Sequence, residues 1–216
     1  MHDLWEQSPV LLASWVFWVL VSVMLHELAH GWAALWQGDD TPRALGHMNF
    51  NPLVHMGGTA LLFFVLVGFT WGLMPVNPWR FRMGRMGEVL VSAAGPAMNL
   101  LLAAITLTAL GVWIARGPVG TPLFDNLRLF LFTGGWLNVF LAAFNMVPFP
   151  PLDGSKVLAG LAPPTRPLIE SPQLQQFGWI GIFLLGMLGF FGPVVALSQR
   201  WSAEWANLVA QRLLGG

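Results

Sequence analysis

At 216 residues and zero formal net charge, the chain is 56% hydrophobic and 9% charged, against roughly 25% charged in an average soluble domain. A water-soluble globular domain is excluded, and the balanced charge offers nothing to nucleic acid. With no cysteine, disulfides and thiolate metal sites are excluded too.

The first residues, MHDLWEQ, carry two acids and no Lys or Arg. They lack the basic leader of a secretory signal, so the apolar run that follows is expected to stay in the mature chain. Uncharged runs recur at Val10–Leu25, Met56–Trp79, Val89–Ala115, Leu129–Val147 and Phe177–Leu197. Runs near 20 residues are long enough to cross about 30 Å of hydrocarbon as helices. The expected fold is an all-α polytopic bundle in the lipid bilayer, read as one membrane-embedded domain over 1–216. Its core is 8–160, a last span lies at about 174–198, and an amphipathic tail at about 201–214. Trp5, Trp36, Trp79, Trp113 and Trp201 fall near run ends, where interfacial aromatics belong.

The first run ends in LHELAHG, Leu25 to Gly31. His26 and His30 are four apart, so on a helix they stack on one face and can share a metal ion. Glu27 flanks that face. H-E-x-x-H is the zinc-hydrolase pattern of two ligands and a general base. Ionisable groups cost about 2.5–3.5 kcal/mol each near the bilayer centre and are functional by default; a metal offsets that cost, simple packing does not. A catalytic zinc takes three protein ligands and keeps one position open. The third must be another His (His2, His47 or His55) or an acid, of which Asp153 is the best placed.

Residues 41–54 are too polar to span and read as a short strand or hairpin between Pro42 and Pro52, its exposed edge, around Leu45, able to pair with an unfolded substrate. The stretch 57–75 is interrupted by Gly68, Thr70 and Gly72 and is expected to double back rather than cross. Further on, Gly95-Pro96 either kinks a helix for close packing or lines a cavity. Asn99 is a helix–helix hydrogen bond or a polar group near the site, and His55 is a near-site group or a satisfied turn histidine. NMVPFPPLDG, Asn145 to Gly154, breaks the fourth run with prolines, so its acid can drop back into a membrane site. Trp201, Trp205, Leu208, Val209 and Leu213 at helical spacing predict a helix lying on the membrane as an anchor.

HELAH at 26–30, GPAMN at 95–99 and NMVPFPPLDG at 145–154, with NPLVH at 51–55 and PVNP at 75–78, together resemble the site-2 proteases, in their small bacterial and archaeal branch without added domains. The likeness runs from about residue 15 to 160. It implies an intramembrane zinc metalloprotease with one Zn2+ per chain on His26, His30 and Asp153. Glu27 would be general base and acid, and Asn145 a substrate clamp or oxyanion donor near the metal. His55, Asn99 and Leu45 are candidate substrate contacts. The implied partner is a transmembrane protein substrate, in a prokaryotic cell membrane; oligomeric state is open. Relatives often carry Asp-Pro after the histidine equivalent to His55, whereas this chain reads Met56-Gly57-Gly58.

The ligands must meet at one depth, so one run between them cannot be a simple crossing. If 57–75 doubles back, Arg43, Arg80, Arg82, Arg85, Lys156 and Arg166 share the active-site end, and Arg116, Arg128, Arg200 and Arg212 the other. The positive-inside rule then makes the active-site end cytoplasmic. Two other classes compete. A zinc transporter needs ligands along a pathway, and here they gather at one end. An inactive scaffold has no use for Glu27.

Overall fold

The computed structural model describes residues 8–215; His2, Trp5 and the rest of the N-terminal heptapeptide lie outside the described residues. Helix α1, Pro9–Trp36, starts where the Ser8 hydroxyl accepts the Leu11 N–H and a proline opens the first turn, both standard starts. It stops at Gln37, before Gly38 at φ 94°. A single turn, α2, covers Thr41–Ala44. Next, α3 spans Pro52–Val67, capped by Asn51, interrupted at Gly57 (φ 69°) and closed by Gly68 in the left-handed region, as glycine allows. Two long helices follow, α4 over Arg85–Arg116 and α5 over Pro122–Asn145. The short α6, Asp153–Leu161, and α7, Arg166–Ile169, lead to α8, Pro172–Met187, and α9, Gly192–Leu214.

Helices α1, α4 and α5 are long and apolar enough to cross a membrane. Helices α8 and α9 meet at 72° and together can count as a fourth, broken span. The chain is a helical membrane protein. Helix α4 is the hub, packed on α1, α5, α6 and α9. Lipid tails are as apolar as leucine, so helices associate by close packing at small residues. A Cβ on Gly134 would overlap the Trp18 ring, one on Gly135 the Leu107 side chain, and one on Gly111 the α9 residue Val209. On α9 the buried face is Ser198, Ser202, Ala206 and Ala210. Of the apolar stripe in the tail, Trp201, Trp205, Leu208 and Leu213 are exposed, whereas Val209 packs against α4. The tail is the second half of one 23-residue helix, not a separate element.

The strand or hairpin expected at 41–54 is absent: no strand occurs among the described residues. The backbone groups a ladder would need are taken locally. Asp39 accepts the Thr41 N–H and hydroxyl, Asn49 accepts the Asn51 N–H, and Asn51 accepts the Leu53 N–H. Such side-chain bonds compete directly with sheet.

Residues 52–77 double back. After α3 the chain runs antiparallel to it as an irregular strap. Thr70 Oγ1 donates to Ala60 O (3.1 Å) and the Leu73 N–H to His55 O (2.8 Å). The strap then reaches Asn77, whose N–H donates to Asp39 Oδ2 beyond the end of α1. Both ends of the excursion therefore lie at the same end of α1.

Candidate metal centre

Helix α1 presents His26, Glu27 and His30, all buried. Asp153 arrives from the opposite direction in sequence, at the first position of α6. Between α5 and α6 the chain turns through MVPFPPL, with a cis Pro150–Pro151 bond. Gly154 allows the close return, since a Cβ there would overlap the Met146 carbonyl at the end of α5. The three side chains converge. His26 Nε2 lies 3.0 Å from His30 Nε2 and 3.1 Å from Asp153 Oδ2; His30 Nε2 is 3.4 Å from the same oxygen.

The far sides of both rings are fixed. His30 Nδ1 bonds the Val91 carbonyl at 2.7 Å, and a carbonyl only accepts, so Nδ1 carries the hydrogen. His26 Nδ1 bonds Asn99 Oδ1 at 2.6 Å. Asn99 Nδ2 donates to Asn138 Oδ1, and Asn138 Nδ2 to the Gly134 carbonyl and to Ser22 Oγ, each at 2.9 Å. The Gly134 carbonyl orients both amides, which leaves His26 Nδ1 as donor. With both rings neutral, each Nε2 is a bare lone pair facing a carboxylate oxygen. Three acceptors at this spacing repel one another unless a cation lies among them.

The donor set suits zinc. Metal–ligand bonds of about 2.0–2.1 Å in a tetrahedron set neighbouring ligand atoms about 3.3 Å apart, close to the 3.0–3.4 Å found. Two imidazole nitrogens and one carboxylate oxygen leave the fourth position open, as catalytic sites do. Among the described residues this is the one group of three or more His, Asp or Glu side chains with converging donor atoms. Gly95 is part of the arrangement: a Cβ there would overlap His30 Nε2 and His26 Nε2.

Glu27 takes no place in the triad. Its carboxylate faces a cavity of about 620 Å³ whose wall also includes His26, His30, Asp153, Asn145 and the strap. Gly72 of the strap lies against it, where a Cβ would overlap Glu27 Cγ and Oε1. Asn145 shares the cavity wall, but its Nδ2 donates to Leu141 O of its own helix at 3.0 Å. Of the candidate substrate contacts, Asn99 also lines this cavity. Asn99 is fully buried behind His26, with both ends of its amide engaged. His55 is buried with Nε2 bonded to Asn49 O, and neither it nor the exposed Leu45 lines the cavity.

Sequence reasoning left Asn138 and Val91 unremarked, read Gly72 only as an interruption of the 57–75 run, and gave Gly95 no part at the ligands. The GPAMN motif was the one signal for Gly95. The others depend on which faces of α4, α5 and the strap meet α1.

The model for peptidase family M50 matches residues 112–189, from the end of α4 to the end of α8. The relative named "Putative zinc metalloprotease YwhC", from Bacillus subtilis, is 36% identical over 173 residues, 79% of this chain and 78% of its own length. The chain belongs to peptidase family M50. A second M50-type relative, "Putative zinc metalloprotease Rip2" from Mycobacterium tuberculosis, is 30% identical over 86% of this chain and 71% of its own length. "Zinc metalloprotease MJ0392" from Methanocaldococcus jannaschii is 26% identical over 68% of this chain and 35% of its own. No solved structure matches. An M50 chain with these three ligand atoms and a carboxylate beside them has the parts for metal-assisted peptide hydrolysis.

Proposed function

We propose that this M50 chain is a zinc metalloendopeptidase that cleaves transmembrane protein segments within or at the edge of the bilayer. The observation that carries the reading is the convergence of His26 Nε2, His30 Nε2 and Asp153 Oδ2 beside a cavity-facing Glu27, among helices apolar enough to span. Zinc bound there supplies Lewis acidity for the peptide carbonyl and eases deprotonation of water. Glu27 takes the proton from the attacking water on its carboxylate and returns it to the departing amide nitrogen. Asn145 Nδ2, once released from Leu141 O, donates to the developing oxyanion.

The substrate backbone needs partners where bilayer supplies none. The strap offers them: between Phe69 and Val76, Leu73 is the one residue among those described whose N–H has a partner. An unfolded substrate segment can pair along it, beside Glu27. With Arg80, Arg82 and Arg85 following the strap, the positive-inside rule supports a cytoplasmic-facing site in a prokaryotic membrane.

The test is zinc content and cleavage of a transmembrane substrate in proteoliposomes, for the wild type beside Glu27→Gln and Asp153→Ala. The expected outcome is one zinc and cleavage in the wild type, zinc without cleavage in Glu27→Gln, and loss of both in Asp153→Ala. A wild type that binds no zinc, or zinc indifferent to Asp153, overturns the reading.

A further inference from the structure

We propose that Asp39 is a positioning residue: it fastens the strap over Glu27 and so sets where a substrate backbone can lie. This rests on the peptidase reading above. Asp39 is fully buried, and among the described residues no cation pairs with it. An isolated buried carboxylate is costly unless hydrogen bonds satisfy it. Here Oδ1 accepts the Thr41 N–H (3.0 Å) and hydroxyl (2.5 Å), and Oδ2 accepts the Asn77 N–H (2.6 Å).

The first pair of bonds is an ordinary local turn. The third spans 38 residues and joins the end of α1 to the end of the strap. Asp39 therefore refers the strap to the helix that carries His26, Glu27 and His30. The other recorded fastenings of residues 70–76, Thr70 to Ala60 and Leu73 to His55, refer it to α3 instead. Between the two anchor sets lies Met74, packed where a Cβ on Gly31 would meet it at 3.1 Å, and between Thr70 and Leu73 Gly72 touches Glu27. Without the Asp39 anchor, the next hydrogen bonds tying the chain to the end of α1 are those of Arg82 and Met83 to Trp36 and Gln37.

Amide hydrogen exchange of the full chain in lipid nanodiscs, with zinc content and cleavage kinetics alongside, tests this. In the wild type the Asn77 amide is expected to exchange as slowly as those of α1; fast exchange there overturns the proposal without any variant. In Asp39→Asn, the Asn77 amide is expected to exchange about tenfold faster or more, the loss of one charged hydrogen bond. Zinc content and exchange in α1, α4 and α5 stay as in the wild type, and KM rises about tenfold with kcat changed far less. Thr41→Val keeps the Asn77 bond and is expected to leave strap exchange unchanged. A strap unmoved in Asp39→Asn, equal loosening by Thr41→Val, or an unmoved KM overturns the role. Exchange needs no peptide cleavage, so a wild type that cleaves nothing defeats the peptidase reading while leaving the anchor decided.

Discussion

In the proposed site Glu27 differs from His26 and His30 in standing outside the group that could hold a metal. Glu27→Gln is therefore expected to keep one zinc per chain while cleavage falls about 10²–10⁴-fold, the usual worth of a general base; zinc lost with the side chain would make it a ligand. Asn99 is the converse. Its amide bonds the far side of His26, so Asn99→Ala is expected to weaken zinc affinity about 10–100-fold in a competition with a chromophoric chelator. Gly95→Ala puts a methyl against both ligand nitrogens and should abolish stoichiometric zinc in a chain that still inserts. The histidine pair was legible in the sequence because four residues on a helix is a fixed geometry. Asp153 was legible only through its motif, since 123 residues separate it from His30. Asn99 was legible as a helix–helix hydrogen bond or a polar group near the site, and it is both; its partner Asn138 was not, because spacing along α5 says nothing about which face meets α1 and α4.

At the level of elements, local hydrogen bonding decided against the sheet expected at 41–54. Proline and asparagine there satisfy the backbone within a few residues, and a composition that looks like a strand boundary became a turn. The unpaired backbone next to Glu27 comes instead from Phe69–Val76, in a run that hydropathy alone groups with the spans. The α4–α9 contact shows the other side of small residues. Gly111→Leu pushes a side chain into Val209, and overpacking of this kind costs about 1–3 kcal/mol. A lower unfolding temperature with α9 more open to protease is the expected result; an unchanged one would mean that α9 shifts freely.

For the molecule as a whole, the apolar runs marked α1, α4 and α5, but the single last span expected at 174–198 is broken by a 72° bend between α8 and α9; the doubling-back expected of 57–75 came from its glycines together with the need for ligands to meet. That folding puts residues 43 and 82 at one end of the bundle. Single cysteines at Arg43→Cys and Arg82→Cys in vesicles are expected to react with an impermeant thiol reagent from the same side, and labelling from opposite sides would sink this topology. The chain of hydrogen bonds behind His26 has a wider consequence. It passes from α1 through Asn99 of α4 to Asn138 of α5, and an ion held by His26, His30 and Asp153 would also draw in α6. Zinc and bundle assembly are then thermodynamically linked: whatever loosens the contacts among these four helices must also weaken the hold on the ion, and chelation must lower the cohesion of the bundle by RT ln(1 + [Zn]/Kd). A zinc titration doubles as a gauge of how tightly the helices are joined in the membrane.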